Sequence, residues 1–87
     1  MNHEHGHDQE LTIVIESTQG DWEATFHKTA KVLEVLEKTR QHFGFSQEGN
    51  YQLKLASGET MRPERTLVSY QLDDGAHLTF VDLGVAV

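Results

Sequence analysis

A change in hydrophobic periodicity along the chain is the strongest constraint on its fold. Apolar side chains first alternate with polar ones in two runs, at 11–15 and 22–26, which is typical of half-buried β-strands. A turn-forming stretch at 17–21 separates the runs, so we predict a β-hairpin. Over residues 29–43 the period lengthens to that of one amphipathic helix, and Gly44 follows where a left-handed cap is favoured.

Beyond the helix the strand-like alternation returns. Residues 51–55 predict a third strand, and a short extended piece follows around 60–61. Pro63 interrupts that piece because proline cannot donate to a β-ladder. Residues 65–70 suit a single helical turn, and a last strand is predicted at 77–82.

This order of elements points to one arrangement. A hairpin followed by a helix must bury the apolar stripe of that helix on its own sheet. The helix also supplies the crossover that parallel neighbours require, so the first and last strands are predicted to lie parallel in the centre. The predicted fold class is therefore α+β, a β-grasp with a mixed four- to five-stranded sheet packed on one α-helix. The predicted core consists of Leu11, Ile13, Ile15, Trp22, Phe26, Val32, Leu36, Leu53, Leu55, Leu67, Leu72, Leu78 and Phe80.

The start of the chain differs from the rest in composition. It carries His3, His5 and His7 among polar residues, and such a segment cannot bury enough surface to offset its ordering entropy. Metal chelation by the three histidines is the alternative to a solvated tail, and we predict no metal site and no cofactor. The predicted parts are a disordered His-rich tail at 1–9, a β-grasp domain at 10–83 and a C-terminal tail at 84–87.

Charge and composition exclude several classes of function. Fourteen acidic and seven basic residues give a formal net charge of −7, which repels nucleic acid and anionic membranes. No run is apolar enough to span a membrane, and the first residues are too polar for a signal peptide. The absence of cysteine fits a cytoplasmic protein and excludes a thiol nucleophile. With no phosphate-binding loop or catalytic triad spacing, we predict a protein-binding monomer that is not an enzyme.

One segment carries a specific resemblance. The sequence Arg-Thr-Leu-Val-Ser-Tyr-Gln-Leu at 65–72, followed six residues later by a strand around Leu78 and Phe80, is similar to the Arg-Thr-Leu-x-x-Tyr-x-Ile segment of ubiquitin. In ubiquitin that segment precedes the last strand at the same distance. The resemblance extends from Leu11 to about Leu83, and most of it is pattern rather than identity.

The resemblance implies a protein modifier. Ubiquitin ends in an exposed diglycine, which an activating enzyme adenylates before transfer to lysine; those glycines align with Ala86 and Val87 here. Bacterial ubiquitin-like modifiers resembling this chain are encoded with activating enzymes, conjugating enzymes and a JAB-type peptidase that trims the C-terminus. By that resemblance, Gly84 is the expected conjugation terminus and Val85, Ala86 and Val87 are a removable extension. Gly84 is also the one glycine without an expected turn or cap role.

The resemblance further indicates which residues meet partners. The central isoleucine of the ubiquitin binding patch aligns with Lys54, and the patch valine of the last strand aligns with Val81. Leu83 would enter the activating enzyme together with Gly84, on about 7 Å of chain beyond a strand ending near Asp82. We therefore expect dedicated partners rather than general ubiquitin receptors.

Two other functions compete with a modifier. The first is a noncovalent ubiquitin-like adaptor that is never conjugated. The second is a sulfur carrier, which requires a C-terminal Gly-Gly and ranks last because this sequence reads Val-Ala-Val there.

Overall fold

The computed structural model describes residues 9–85. Within that range the elements are β1 (Glu10–Ser17), β2 (Gly20–His27), α1 (Val32–Phe43), β3 (Gly49–Leu55), a 3-10 helix (Val68–Tyr70) and β4 (Ala76–Val85). The strands form one sheet in the order β2-β1-β4-β3. Strands β1 and β4 pair in parallel and the other neighbours are antiparallel, so the predicted central parallel pair is confirmed.

The hairpin joining β1 and β2 has a tight turn. Ser17 pairs with Gly20 across a two-residue connection. The Ser17 hydroxyl donates to the Gly20 carbonyl (2.9 Å) and accepts from the Gln19 N–H (3.0 Å). Gly20 has a φ of 128°, which L side chains rarely adopt. These contacts fix the register of β2 along the whole of β1.

Helix α1 begins later than its sequence pattern predicts. Lys31 is extended (φ −80°, ψ 152°) and forms a β-bridge with Thr66. The Val32 N–H donates to the Arg65 carbonyl (2.9 Å), so the segment before the helix pairs with the loop after β3. At the other end Gly44 has a φ of 77°, which confirms the predicted left-handed cap.

The predicted fifth strand is reduced to a short arm against β3. The Leu55 N–H donates to the Glu59 carbonyl and the Met61 N–H donates to the Leu53 carbonyl, both at 2.8 Å. One bridge, Lys54 with Thr60, is the pairing between this arm and β3 in the described residues. Within residues 9–85 no helix has the length and apolar character needed to cross a membrane.

The core lies between α1 and one face of the sheet. Its buried hydrophobic side chains are Leu11, Ile13, Ile15, Phe26, Ala30, Val32, Val35, Leu36, Leu53, Met61, Leu67, Leu78 and Phe80. Ala30, Val35 and Met61 were not among the predicted core residues. The predicted members Trp22, Leu55 and Leu72 are half-buried and pack against the cluster. Burying each large aliphatic side chain contributes about 1.5–3 kcal/mol.

Aromatic rings connect the end of α1 to β3 and β4. Phe45, in the loop after α1, lies 5.7 Å from Tyr51 and 5.2 Å from Phe80 between ring centroids. The Tyr51 hydroxyl donates to the Ser46 carbonyl (2.7 Å) and occupies the space that a Cβ at Gly49 would need. The ring of Tyr51 thus holds the first residues of β3 in place, opposite the end of β4.

Candidate functional site

The last part of β4 forms a β-bulge against β3. Tyr51 pairs with Asp82, whereas the preceding residue, Asn50, pairs with Gly84. Leu83 is therefore an extra residue on β4 with no partner in the register. It is an exposed large hydrophobic residue, with 55% of its surface accessible. The predicted conjugation terminus follows immediately after it.

Gly84 has a defined conformation in this bulge. Its φ is 85°, its N–H donates to Oδ1 of Asp82 (2.8 Å), and its carbonyl accepts from Nδ2 of Asn50 (3.3 Å). A Cβ built at Gly84 would meet nothing within 4 Å, so backbone conformation rather than crowding favours glycine.

This geometry corrects two expectations from the sequence. The last strand does not end near Asp82 but continues to Val85, whose Cα pairs with that of Gly49. Gly84 also has a structural role in the bulge, contrary to the expectation that it has no turn or cap role. Asp82 and Asn50, its hydrogen-bond partners, were missed. The spacing Asp-x-Gly was an available signal for Asp82, because aspartate side chains commonly accept from the N–H two residues later.

Leu83 lines a groove beside the outer edge of β3. The groove has a volume of about 370 Å³, and Leu36, Tyr51, Met61 and Pro63 contribute its apolar lining. Asn50, Gln52 and Thr60 contribute polar groups to the lining. The expected partner-binding residue Leu83 therefore belongs to an apolar surface at the end of β4.

Lys54 and Val81, the other expected partner-binding residues, lie on the sheet face away from α1. Gln52 pairs with Val81 and Lys54 pairs with Thr79, so Lys54 and Val81 are diagonal neighbours. Both are half-buried. The structure brings these two residues together, as the resemblance implies.

A pair on the same face was not expected. Nδ1 of His77 lies 2.7 Å from Oε2 of Glu16 on the neighbouring β1. Both side chains are about half exposed, which limits the strength of this contact. In the parallel register Val14 lies opposite His77. Glu16 is two residues further along β1 and therefore lies on the same face of the sheet as His77.

The remaining predicted residues lie at or beyond the limits of the described range. Val85 is the last described residue and pairs with β3, whereas Ala86 and Val87 lie outside the described residues. The histidines of the N-terminal tail, at 3, 5 and 7, also lie outside them. Among residues 9–85 no group of three or more His, Cys, Asp or Glu side chains is arranged to hold a metal ion.

Solved structures share this architecture. A designed protein based on ubiquitin has a TM-score of 0.76 and 22% identity, with 90% of this chain and 94% of that chain covered. A protein described as a molecular mimic of SUMO that promotes DNA repair has a TM-score of 0.77 and 20% identity, over 91% and 99% of the two chains. The ubiquitin-like domain of Dsk2 from Plasmodium falciparum has a TM-score of 0.73 and 16% identity, over 84% and 97%.

The fold is ubiquitin-like. Identities of 16–22% support the fold alone, and they assign no partner or activity. No protein-family model matches the chain, and no curated protein matches it.

Proposed function

We propose that this chain is a ubiquitin-like protein modifier joined to target proteins through Gly84. The observation that carries the proposal is the placement of Gly84 at the surface end of β4, directly after the exposed Leu83. Nothing surrounds its Cα where a side chain would stand. A narrow enzyme channel accepts such a residue because glycine has no side chain to exclude.

The proposal requires two changes at the C-terminus. A JAB-type peptidase removes Val85, Ala86 and Val87, which leaves a free carboxylate on Gly84. The pairing of Asn50 with Gly84 must then open, so that Leu83 and Gly84 extend about 7 Å beyond Asp82. Opening this end costs little because its hydrogen bonds are exposed.

Dedicated enzymes then supply the chemistry. An activating enzyme adenylates the Gly84 carboxylate with ATP and releases pyrophosphate, and a thiol then displaces AMP to form a thioester. A conjugating enzyme transfers the acyl group to an amine or hydroxyl of the target, which forms an amide or ester and releases the thiol. The chain itself contributes no catalytic group to these steps. Its formal net charge of −7 favours a basic groove on the activating enzyme. We place this system in a bacterium, as the resemblance implies, and in the cytoplasm, which fits the absence of cysteine.

A noncovalent adaptor is the second candidate, and one observation favours it. Gly84 is hydrogen-bonded through both its N–H and its carbonyl, so glycine has a purely structural explanation at this position. In that case the open sheet face, with Lys54 and Val81, would be the surface that meets a partner.

Conjugation in a lysate of the source cells separates the two candidates. The full chain, a chain truncated after Gly84 and the same truncation carrying Gly84→Ala are each added with ATP, and conjugates are detected by intact mass. A modifier gives higher-mass species from the truncated chain and none from its Gly84→Ala form. Gly58→Ala is the matched control, because Gly58 is also a surface glycine with positive φ (96°). Absence of ATP-dependent conjugates from every form would overturn the modifier and favour the adaptor.

A further inference from the structure

Strand β2 is an exposed edge strand of the sheet. It is eight residues long and pairs with β1 on one side, whereas no strand in the described residues covers its other side. The opposite edge differs, because the arm at 59–61 bonds to β3. A row of unpaired backbone donors and acceptors is a template for another strand.

The hydrogen bonds of the hairpin show which backbone groups face outward. The Lys28 N–H donates to the Gln9 carbonyl (2.9 Å), so the N–H of Lys28 points across the hairpin towards β1. Thr12, which is opposite Thr25, instead turns its N–H to Asp74 (2.9 Å) and its carbonyl to Gly75 (2.7 Å). Because bonded and non-bonded pairs alternate, the outward groups of β2 belong to Asp21, Glu23, Thr25 and His27.

We propose that β2 pairs with β2 of a second copy of this chain, antiparallel and centred on Ala24. In this register the outward backbone N–H and C=O groups of Glu23 in each copy lie opposite those of Thr25 in the other copy, as a two-fold interface requires. The two Ala24 side chains meet at the centre of the interface, and they are small enough to let the two strands approach each other. The result is a continuous sheet across both copies, a weak dimer instead of the monomer expected from sequence.

The side chains of β2 are self-complementary in this register. On the open face Asp21 of one copy lies opposite His27 of the other, and all four of these side chains are exposed. On the helix face the half-buried Trp22 lies opposite Phe26, an aromatic cross-strand pair. Shifting the register by one residue would set outward groups against inward ones.

A groove of about 490 Å³ lies between β2 and α1, and Glu34 and Lys38 line it from the helix. Glu23 is not complementary in this register, because its two copies are diagonal neighbours of like charge. That repulsion limits the affinity, and we expect a dissociation constant on the order of 0.1–1 mM.

Sedimentation velocity over a concentration series tests the pairing. Thr25→Pro removes one outward N–H at an edge position, and we expect dimerisation to weaken at least about tenfold. Thr25→Val is its control: it loses the same hydroxyl contact to Thr12 but keeps the N–H, so the dimer should persist. Circular dichroism confirms that each variant is folded.

A second pair of variants tests the charge prediction without proline. Glu23→Gln removes the like-charge contact and should tighten the dimer about threefold, whereas Glu59→Gln makes the same charge change away from β2 and should have no effect. Monomers at millimolar concentration would overturn the proposal, as would equal effects of the two glutamine variants. It would also fail if the full chain stayed monomeric while the Glu23 and Thr25 amides shifted on adding an extended valine-rich peptide, because β2 would then take a foreign strand.

Discussion

The start and the end of β4 differ in burial and in register. Near the start of the strand Leu78 and Phe80 are 1% and 3% exposed and lie in the core beneath α1, and both pair with β3 in a regular register. At its end Leu83 is 55% exposed and belongs to a bulge. The same strand thus contributes a core element and a surface element, separated by a few residues.

The buried first half of β4 therefore contributes to stability, whereas the exposed second half carries the proposed conjugation site. The first half of β4 is held by neighbours on both sides, β1 in parallel and β3 antiparallel. The pairing with β1 extends only as far as Thr79, opposite Glu16, so within residues 9–85 the second half pairs with β3 alone. A strand end with one neighbour opens more readily than the centre of a sheet. The proposed conjugation site lies where opening costs least.

The largest expected effect tests the two halves directly. Leu78→Ala should lower the free energy of unfolding by about 2–5 kcal/mol, because it leaves a cavity in the core. Leu83→Ala, the matched truncation, should change it by less than about 0.5 kcal/mol because the side chain is mostly in solvent. Urea denaturation of both variants measures the contrast. Similar losses from both would mean that Leu83 packs in the groove beside Tyr51 and contributes to stability.

A smaller effect is expected at Gly84. Gly84→Ala places a side chain on a backbone with φ of 85°, which costs an L residue about 1–2 kcal/mol. The strand end can avoid this cost by unpairing from β3, so the loss should be local rather than global. Amide hydrogen exchange at the end of β4 should accelerate about tenfold, with the urea midpoint nearly unchanged. Gly58→Ala should leave exchange in β4 unaffected; acceleration by both variants would contradict a local role for Gly84.

Much of the fold was predictable because periodicity reports burial. The alternating runs and the single helical run indicate which faces are apolar, and the helix crossover then requires parallel central strands. The start of α1 was not predictable in the same way. Its position depends on Lys31 pairing with Thr66, and a contact between residues so distant in sequence leaves no local pattern.

The candidate site was predictable in part for the same reason. The register of β3 and β4 brings Lys54 and Val81 together. Each of them alternates with apolar core residues along its own strand, which indicates from the sequence that both lie on the face away from the core. The bulge at Leu83 was missed, because an extra residue in one strand is defined only against its partner. The contact of His77 with Glu16 likewise depends on the register of two parallel strands.

The smallest effect concerns the side chain that caps the bulge. Asp82→Ala removes the acceptor of the Gly84 N–H, and an exposed hydrogen bond of this kind contributes about 0.5–1 kcal/mol. Exchange of the Gly84 amide should accelerate about threefold, whereas Asp82→Asn, which keeps an acceptor oxygen, should behave like the unmodified chain.

The same variants connect the bulge to the proposed function. If Gly84 must leave β3 to reach an activating enzyme, a looser strand end lowers the cost of that step. Conjugate formation from the chain truncated after Gly84 should then be faster with Asp82→Ala than with Asp82→Asn. Faster amide exchange without faster conjugation would mean that the enzyme itself opens the strand end, so that the bulge does not control access to Gly84.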